Sequence, residues 1–336
     1  MTSNARGSMR NMVREIHKRA IVIDGLGGYG YEYLSILNSG INITNVSLNM
    51  FNSERFDYVL KEIRWYFGLI ETNVSHIMLI ERPEDILLAK KQNKLGLIFG
   101  LQNGTALEDD VMLLPILYKL GIRIIQLTYN ESNSLGNGCQ VTNDTGLTSL
   151  GREAVKIMNR LGILIDLSHV GYKTSQQATD LSESPVAITH GNPLALKNVP
   201  RNRPDDLMIH VAKKGGVIGL TPYSSFCKSQ PGKRPTIDDF LDQIDYVINL
   251  VGIDHVGIST DKFEGTTSWG YALHRYPKLI DTPYEHRHVE GFSHITDFPK
   301  FTDGLLKRGY SDGDTMKILG GNFYSLYKQV WKCPGF

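Results

Sequence analysis

Residues able to bind, orient or exchange protons recur at one kind of position in this 336-residue chain, the end of a short apolar run rich in β-branched residues. Asp24 sits near the end of AIVIDG (20–25), Gln102 follows LGLIFGL (95–101) and Tyr129 ends IRIIQLTY (122–129). His169 follows GILIDLS (162–168), His190 ends PVAITH (185–190), Tyr223 follows GVIGLTP (216–222) and Asp261 ends HVGISTD (255–261). Two imidazoles and a carboxylate suit zinc, which takes neutral imidazole nitrogen and carboxylate oxygen as ligands. Without a metal the same groups form a proton-transfer set, with Asp261 as base and Tyr129 as phenolic acid or oxyanion donor.

These positions share a site only if the runs are strands of one sheet. Together with NITNVSL (42–48) they number eight, and most are apolar on both faces, as parallel strands covered by helices must be. Amphipathic stretches lie between them, among them 53–71, 151–162 and 236–252. Eight strands alternating with helices over this length predict an α/β chain folded as a (β/α)8 TIM barrel rather than a doubly wound sheet. No linker divides it, so residues 1–336 read as one domain with a helical extension over about 1–18. The tail 311–331 has helical spacing and is expected to pack on the outside of the barrel. Residues 262–299, rich in Gly, His and Tyr, read as an active-site lid or as a contact loop in a homodimer. In such a barrel chemistry sits at the C-terminal ends of the strands, where the residues above fall.

Composition narrows the partners. A formal charge of +1 gives no electrostatic reason to expect nucleic acid or an anionic membrane, and no stretch is long and apolar enough to span one. Residues 1–20 are polar and basic, unlike a secretory signal. Cys139, Cys227 and Cys333 are few, odd in number and far apart, which fits reduced thiols in a cytoplasmic protein. One stretch competes with this picture: Gly25-Leu26-Gly27-Gly28-Tyr29-Gly30 matches a dinucleotide fingerprint. That motif wants a carboxylate at the end of the second strand, and Leu48-Asn49-Met50 stands there instead.

GREAVKIMNRLGILIDLSHVGYKTSQQATDLSESPVAITHGNPLAL (151–196) resembles the membrane (renal) dipeptidase family of the amidohydrolase superfamily. So do PRNRPDDLMIHVAKKGGVIGL (200–220), IDHVGISTD (253–261) and LLKRGYSDGDTMKILGGNFYSLYKQV (305–330). The resemblance implies a (β/α)8 barrel that, in active members, holds two zinc ions bridged by a carboxylate and cleaves dipeptides. It matches His169 and His190 to the ligands of one zinc, Arg201 to the substrate-binding arginine, and Asp261 to the aspartate that contacts the metal-bound water and substrate amine. It also exposes losses. Leu26 and Gly28 stand where the first-strand motif places a histidine and an aspartate, Gln102 replaces the bridging glutamate, and Tyr129 replaces a substrate-contacting histidine. The glycine-rich stretch is thus what remains of a metal-binding strand end.

Leu26 and Gly28 offer no donor atom, and a neutral amide is a poor substitute for a bridging carboxylate, so two-metal chemistry is lost. The expected activity is a hydrolase acting on an amide-type bond of a small carboxylate-bearing molecule, with one zinc at most. His169 and His190 are its metal ligands, with a third from Gln102, Asp261 or water. Asp261 and Tyr129 are its catalytic groups, and Arg201, Tyr129 and Gln102 contact substrate. The alternative is a metal-free lyase or isomerase, or a ligand-binding barrel, on the same scaffold. For Arg201 a surface salt bridge to Asp205 or Asp206 competes with substrate binding. Cys139, in the loop 130–148, has no adjacent activating base and reads as structural. His286, His288 and His294 read as a solvated face.

Overall fold

The computed structural model describes residues 3–29, 33–264 and 286–331. Most of the stretch expected to be a lid or contact loop, and Cys333, lie outside the described residues. Strands β1 (Ile23–Asp24), β2 (Gly27–Tyr29), β3 (Ile43–Ser47), β4 (Ile77–Leu79), β5 (Leu95–Leu101), β6 (Ile122–Gln126), β7 (Leu164–Asp166), β8 (Ala187–Ile188), β9 (Val217–Leu220), β10 (Val256–Ile258) and β11 (Lys262–Glu264) run in chain order. Eight of them form a parallel ring in the order β1-β3-β5-β6-β7-β8-β9-β10. The Gly25 N–H donates to Ile258 O at 3.2 Å and links the last strand to the first. This is the expected (β/α)8 barrel, and its strands fall within the eight runs read from sequence. Among the described residues no helix is long and apolar enough to cross a membrane.

Strand alternation sorts the apolar residues into two cores. Val46, Leu97, Phe99, Ile125, Ile165, Ile188, Ile218 and Ile258 face outward and pack with helix residues such as Val59, Met158, Val211 and Leu241. Ile43, Ile98, Ile124, Leu164, Ala187 and Val217 face inward and form the barrel floor. Two of the helices that flank the barrel begin where side chains satisfy free backbone N–H groups. Thr148 Oγ1 accepts from Gly151 N at 3.0 Å to start Ser149–Leu161, which ends at left-handed Gly162 (φ 74°). Thr236 and Asp239 form a capping box at the start of Ile237–Val251.

The C-terminal helix Asn322–Val330 lies outside the strand ring, across its N-terminal end. Phe323, Leu326, Tyr327, Val330 and Trp331 close the floor from below. Glycine makes this possible. A Cβ on Gly257 would lie 2.5 Å from the Phe323 ring, and one on Gly25 would lie 2.7 Å from it. Residues 286–298 also differ from a free loop: Val289, Phe292, Ile295 and Phe298 are fully buried. Their three-residue spacing supplies an apolar edge that anchors the segment, and bridges Tyr223↔His288 and Thr236↔Glu290 hold it to the barrel.

The ring of Phe323 is therefore expected to be intolerant of any added atom beside it. Gly257→Ala should cost about 1–3 kcal/mol by overpacking, and Phe323→Ala about 3–5 kcal/mol by leaving a cavity. Urea denaturation of the single and double variants checks this, and the double variant should lose less than the sum of the two.

Candidate active site

The layer above the floor is polar, and two buried carboxylates organise it. Asp166, at the end of β7, accepts Ser168 N (3.0 Å), Ser168 Oγ (2.5 Å), Thr189 N (3.0 Å) and Thr189 Oγ1 (2.7 Å). Asp24, at the end of β1, accepts Leu26 N (3.3 Å), Thr260 N (2.7 Å) and Thr260 Oγ1 (2.6 Å). Each carboxylate ties its strand end to a neighbouring one, and each stands beside residues of the mouth: His169 and His190 in one case, Asp261 in the other.

His169 and His190 are buried, with their Nε2 atoms 3.0 Å apart. Their other nitrogens decide what that contact is. His169 Nδ1 lies 2.7 Å from Asn130 Oδ1, an acceptor, so it carries the proton. His190 Nδ1 lies 2.9 Å from Thr189 Oγ1, whose own proton goes to Asp166, so it too is the donor. Both Nε2 atoms are left as bare lone pairs facing each other. Such a pair repels unless a cation lies between. A shared proton is disfavoured, because burial first, and then the charges of Arg201 and Arg203, hold both imidazoles well below their usual range. The donor set fits one metal ion approached by two nitrogens. Among the described residues no third His, Cys, Asp or Glu completes a cluster.

Asp261 follows β10 in a left-handed backbone conformation (φ 49°), uncommon for a residue with a side chain. Burial pushes its carboxyl up to about 7, with Arg201 pulling it down and Asp24 pushing it further up. The ring of Tyr129 stacks on that of His169 at 4.0 Å and meets Phe51 edge-on. Burial, then the charge of Asp261, raise its phenol above the ordinary value. The same two causes push Tyr223 up to about 12. Arg201 Nη1 donates to Ser168 O and Nη2 to His190 O (3.1 Å), and its guanidinium lies over Phe226. The salt bridge considered for it does not form: Asp205 accepts from Tyr246, and Asp206 from Tyr172. Gln102 is buried, and its Nε2 has no partner among the described residues.

Where the dipeptidase pattern has first-zinc ligands, the chain has built something else. Leu26 is buried, and β2 pairs in parallel with β11, Gly28 opposite Phe263. Cys139 lies beside His169 and Asn130. Its N–H donates to His169 O (2.7 Å), and its thiol to Asn130 Oδ1 (3.4 Å). His286 and His294 are exposed as expected, but His288 is buried, with Nε2 3.0 Å from Thr260 O. Its neighbours Val289 and Phe292 draw it inward. Asn130, Asp166, Thr189 and His288 are site residues missed in the sequence. A carboxylate inside an apolar strand (ILIDLS) was the available signal for Asp166.

Residues 43–333 match the membrane dipeptidase (peptidase family M19) model, and the chain belongs to that family. It is similar to the solved structure of an amidohydrolase from Pseudomonas aeruginosa, with 34% identity and a TM-score of 0.88, covering 95% of this chain and 99% of that one. A metallo peptidase from Rhodobacter sphaeroides, solved with a phosphinate mimic of L-Ala-D-Ala, shares the fold at 19% identity and a TM-score of 0.78, covering 93% of this chain and all (100%) of that one. An uncharacterized dipeptidase of Schizosaccharomyces pombe is 32% identical over 214 residues, 61% of this chain and 51% of that protein. A dipeptidase of Claviceps purpurea is 25% identical over 264 residues, 78% of this chain and 57% of that protein. The matched region thus spans little more than half of these two relatives.

The raised carboxyl of Asp261 sets a pH dependence of stability. Its folded-state value of about 7 lies above the unfolded value near 3.8, so the folded chain holds a proton that the unfolded chain releases. The stability that Asp261 itself contributes should therefore be constant below about pH 4, fall as pH rises towards 7, and level off above, opposite in sign to the contribution of the buried imidazoles. Asp261→Asn removes this slope. Its stability relative to the unaltered chain should rise across that window, on the order of 2–4 kcal/mol in total, read by denaturation of metal-stripped protein.

Proposed function

We propose that this chain is a dipeptidase-like metallohydrolase that cleaves an amide-type bond in a small, carboxylate-bearing substrate, using one metal ion, zinc in this family. The observation that carries the reading is the pair of unprotonated Nε2 atoms of His169 and His190, 3.0 Å apart with both Nδ1 atoms committed elsewhere. These two residues would hold the ion. When bound, it supplies Lewis-acid polarisation of the substrate carbonyl. A second ion has no comparable support, because Leu26 and Gly28 lack donors and Gln102 lacks charge.

The remaining groups divide the work. Asp261, whose carboxyl burial raises from its ordinary value, can take a proton from attacking water and return it to the leaving amine. Tyr129 keeps its proton throughout the neutral range and can donate a hydrogen bond to the developing oxyanion. The unpaired Nε2–H of Gln102 is a second donor for substrate oxygen. Arg201 spends two N–H groups on backbone carbonyls, which fixes its plane and leaves other N–H groups for a substrate carboxylate.

Metal analysis after gentle purification should find about one equivalent per chain, and His190→Ala should lose both metal and turnover while keeping its fold. Thr189→Val, which frees the His190 ring, should weaken metal binding about 10- to 100-fold. With a panel of unblocked dipeptides, turnover should rise with pH as Asp261 ionises, at a midpoint below the metal-free value of about 7 because the bound cation favours the carboxylate. Full hydrolysis in strong chelator would overturn the metal part of this reading, and a chain that carries no metal and hydrolyses no dipeptide would instead favour the metal-free lyase, isomerase or ligand-binding reading.

A further inference from the structure

The peptide unit joining Thr260 to Asp261 is held at both of its polar atoms. On one side the Asp261 N–H donates to Leu26 O at 2.9 Å, from the strand end that has lost its metal ligands. On the other, Thr260 O faces His288 Nε2 at 3.0 Å and, more weakly, Thr221 Oγ1 at 3.4 Å. A carbonyl oxygen can only accept, so His288 is the Nε2–H tautomer. Burial, with Lys262 beside it, holds this imidazole down at about 3, so it stays neutral across the working range of pH. Thr260 itself is fixed by Asp24. Asp261 needs this grip, because its left-handed backbone persists only when the surroundings over-determine it.

His288 comes from a segment tied to the barrel by its own backbone bonds. Ser224 N donates to Arg287 O (2.6 Å), Val289 N to Pro222 O (2.9 Å), and the Arg234 guanidinium to His288 O (2.6 Å). Tyr223, whose phenol feels the charge of Asp261, packs edge-on against the His288 ring at 5.5 Å. The segment 286–290 is therefore held to the barrel by its backbone, and it brings the His288 donor to the mouth.

We infer that His288 is a positioning residue for the hydrolysis: by clamping the Thr260–Asp261 peptide against Leu26 it holds the Asp261 backbone left-handed and so aims the carboxylate. The inference rests on the hydrolase reading for its kinetic consequence but not for its geometry. His288→Phe keeps a ring and deletes the donor, whereas His288→Gln keeps a donor at similar reach. On the best substrate of the dipeptide panel, His288→Phe should lower kcat about 10- to 100-fold with KM held within about twofold. His288→Gln should recover most of that loss. In an Asp261→Asn background the Phe substitution should cost nothing further, since its effect runs through the carboxylate. Equal losses for Phe and Gln, or an undiminished loss in the Asp261→Asn background, would overturn the assignment.

If the unaltered chain hydrolyses no dipeptide, the hydrolase reading fails by itself, and the crystal structure of the donor-free variant decides the geometric claim. Asp261 leaving the left-handed region in that structure supports the clamp, and an unchanged Asp261 backbone sinks it. Should His288→Phe not fold, His288→Met serves as the donor-free variant in both arms.

Discussion

A carboxylate inside a barrel is tolerable only when its oxygens are filled with hydrogen bonds, and the arrangement of this site follows from that demand. Asp166 draws backbone and hydroxyl donors from Ser168 and Thr189, and Asp24 draws the same kinds of donor from Leu26 and Thr260. Each carboxylate thereby stitches two strand ends that the chain delivers separately, β7 to β8 and β1 to β10. The residues that follow, His169, His190 and Asp261, inherit their positions from these bonds. Thr189 passes the constraint on by using its one proton on Asp166, which dictates the tautomer of His190. Burial of charge, usually a liability, here sets the register of the mouth.

The strand end that carries Leu26 and Gly28 is not empty space. Leu26 fills its position with buried hydrocarbon while its carbonyl accepts from Asp261 N. The strand beyond it pairs with β11, the strand that begins directly after Asp261. Backbone hydrogen bonds join these two strand ends. The other half of the mouth holds the imidazoles and the polar shell that orients them.

Most of the barrel was legible because its strands are apolar on both faces and recur with helices between them, a pattern only a covered parallel sheet satisfies. The placement of His169, His190 and Asp261 followed from strand ends alone. What sequence could not give was the partner of each polar group. Arg201 read as a substrate or surface residue, yet its guanidinium is shared with two backbone carbonyls, which no side-chain pattern announces. His288 read as solvated because His-x-His in a polar stretch usually is. Its burial depends on Val289, Phe292, Ile295 and Phe298 docking against helices distant in sequence. Asp166 and Thr189 were passed over because their roles exist only between strands.

The floor of the barrel carries a consequence for how the protein comes into being on the ribosome. Its inward-facing leucine, isoleucines and valine have no cover until Phe323, Tyr327 and Trp331 arrive, and Asp24 cannot be satisfied until Thr260 reaches it, 236 residues later in the chain. During synthesis the nascent barrel is therefore open at its seam and its base, with the apolar lining exposed. Closure waits for nearly the whole chain and then takes both ends at once, so the barrel completes its seam and its base late in synthesis rather than strand by strand.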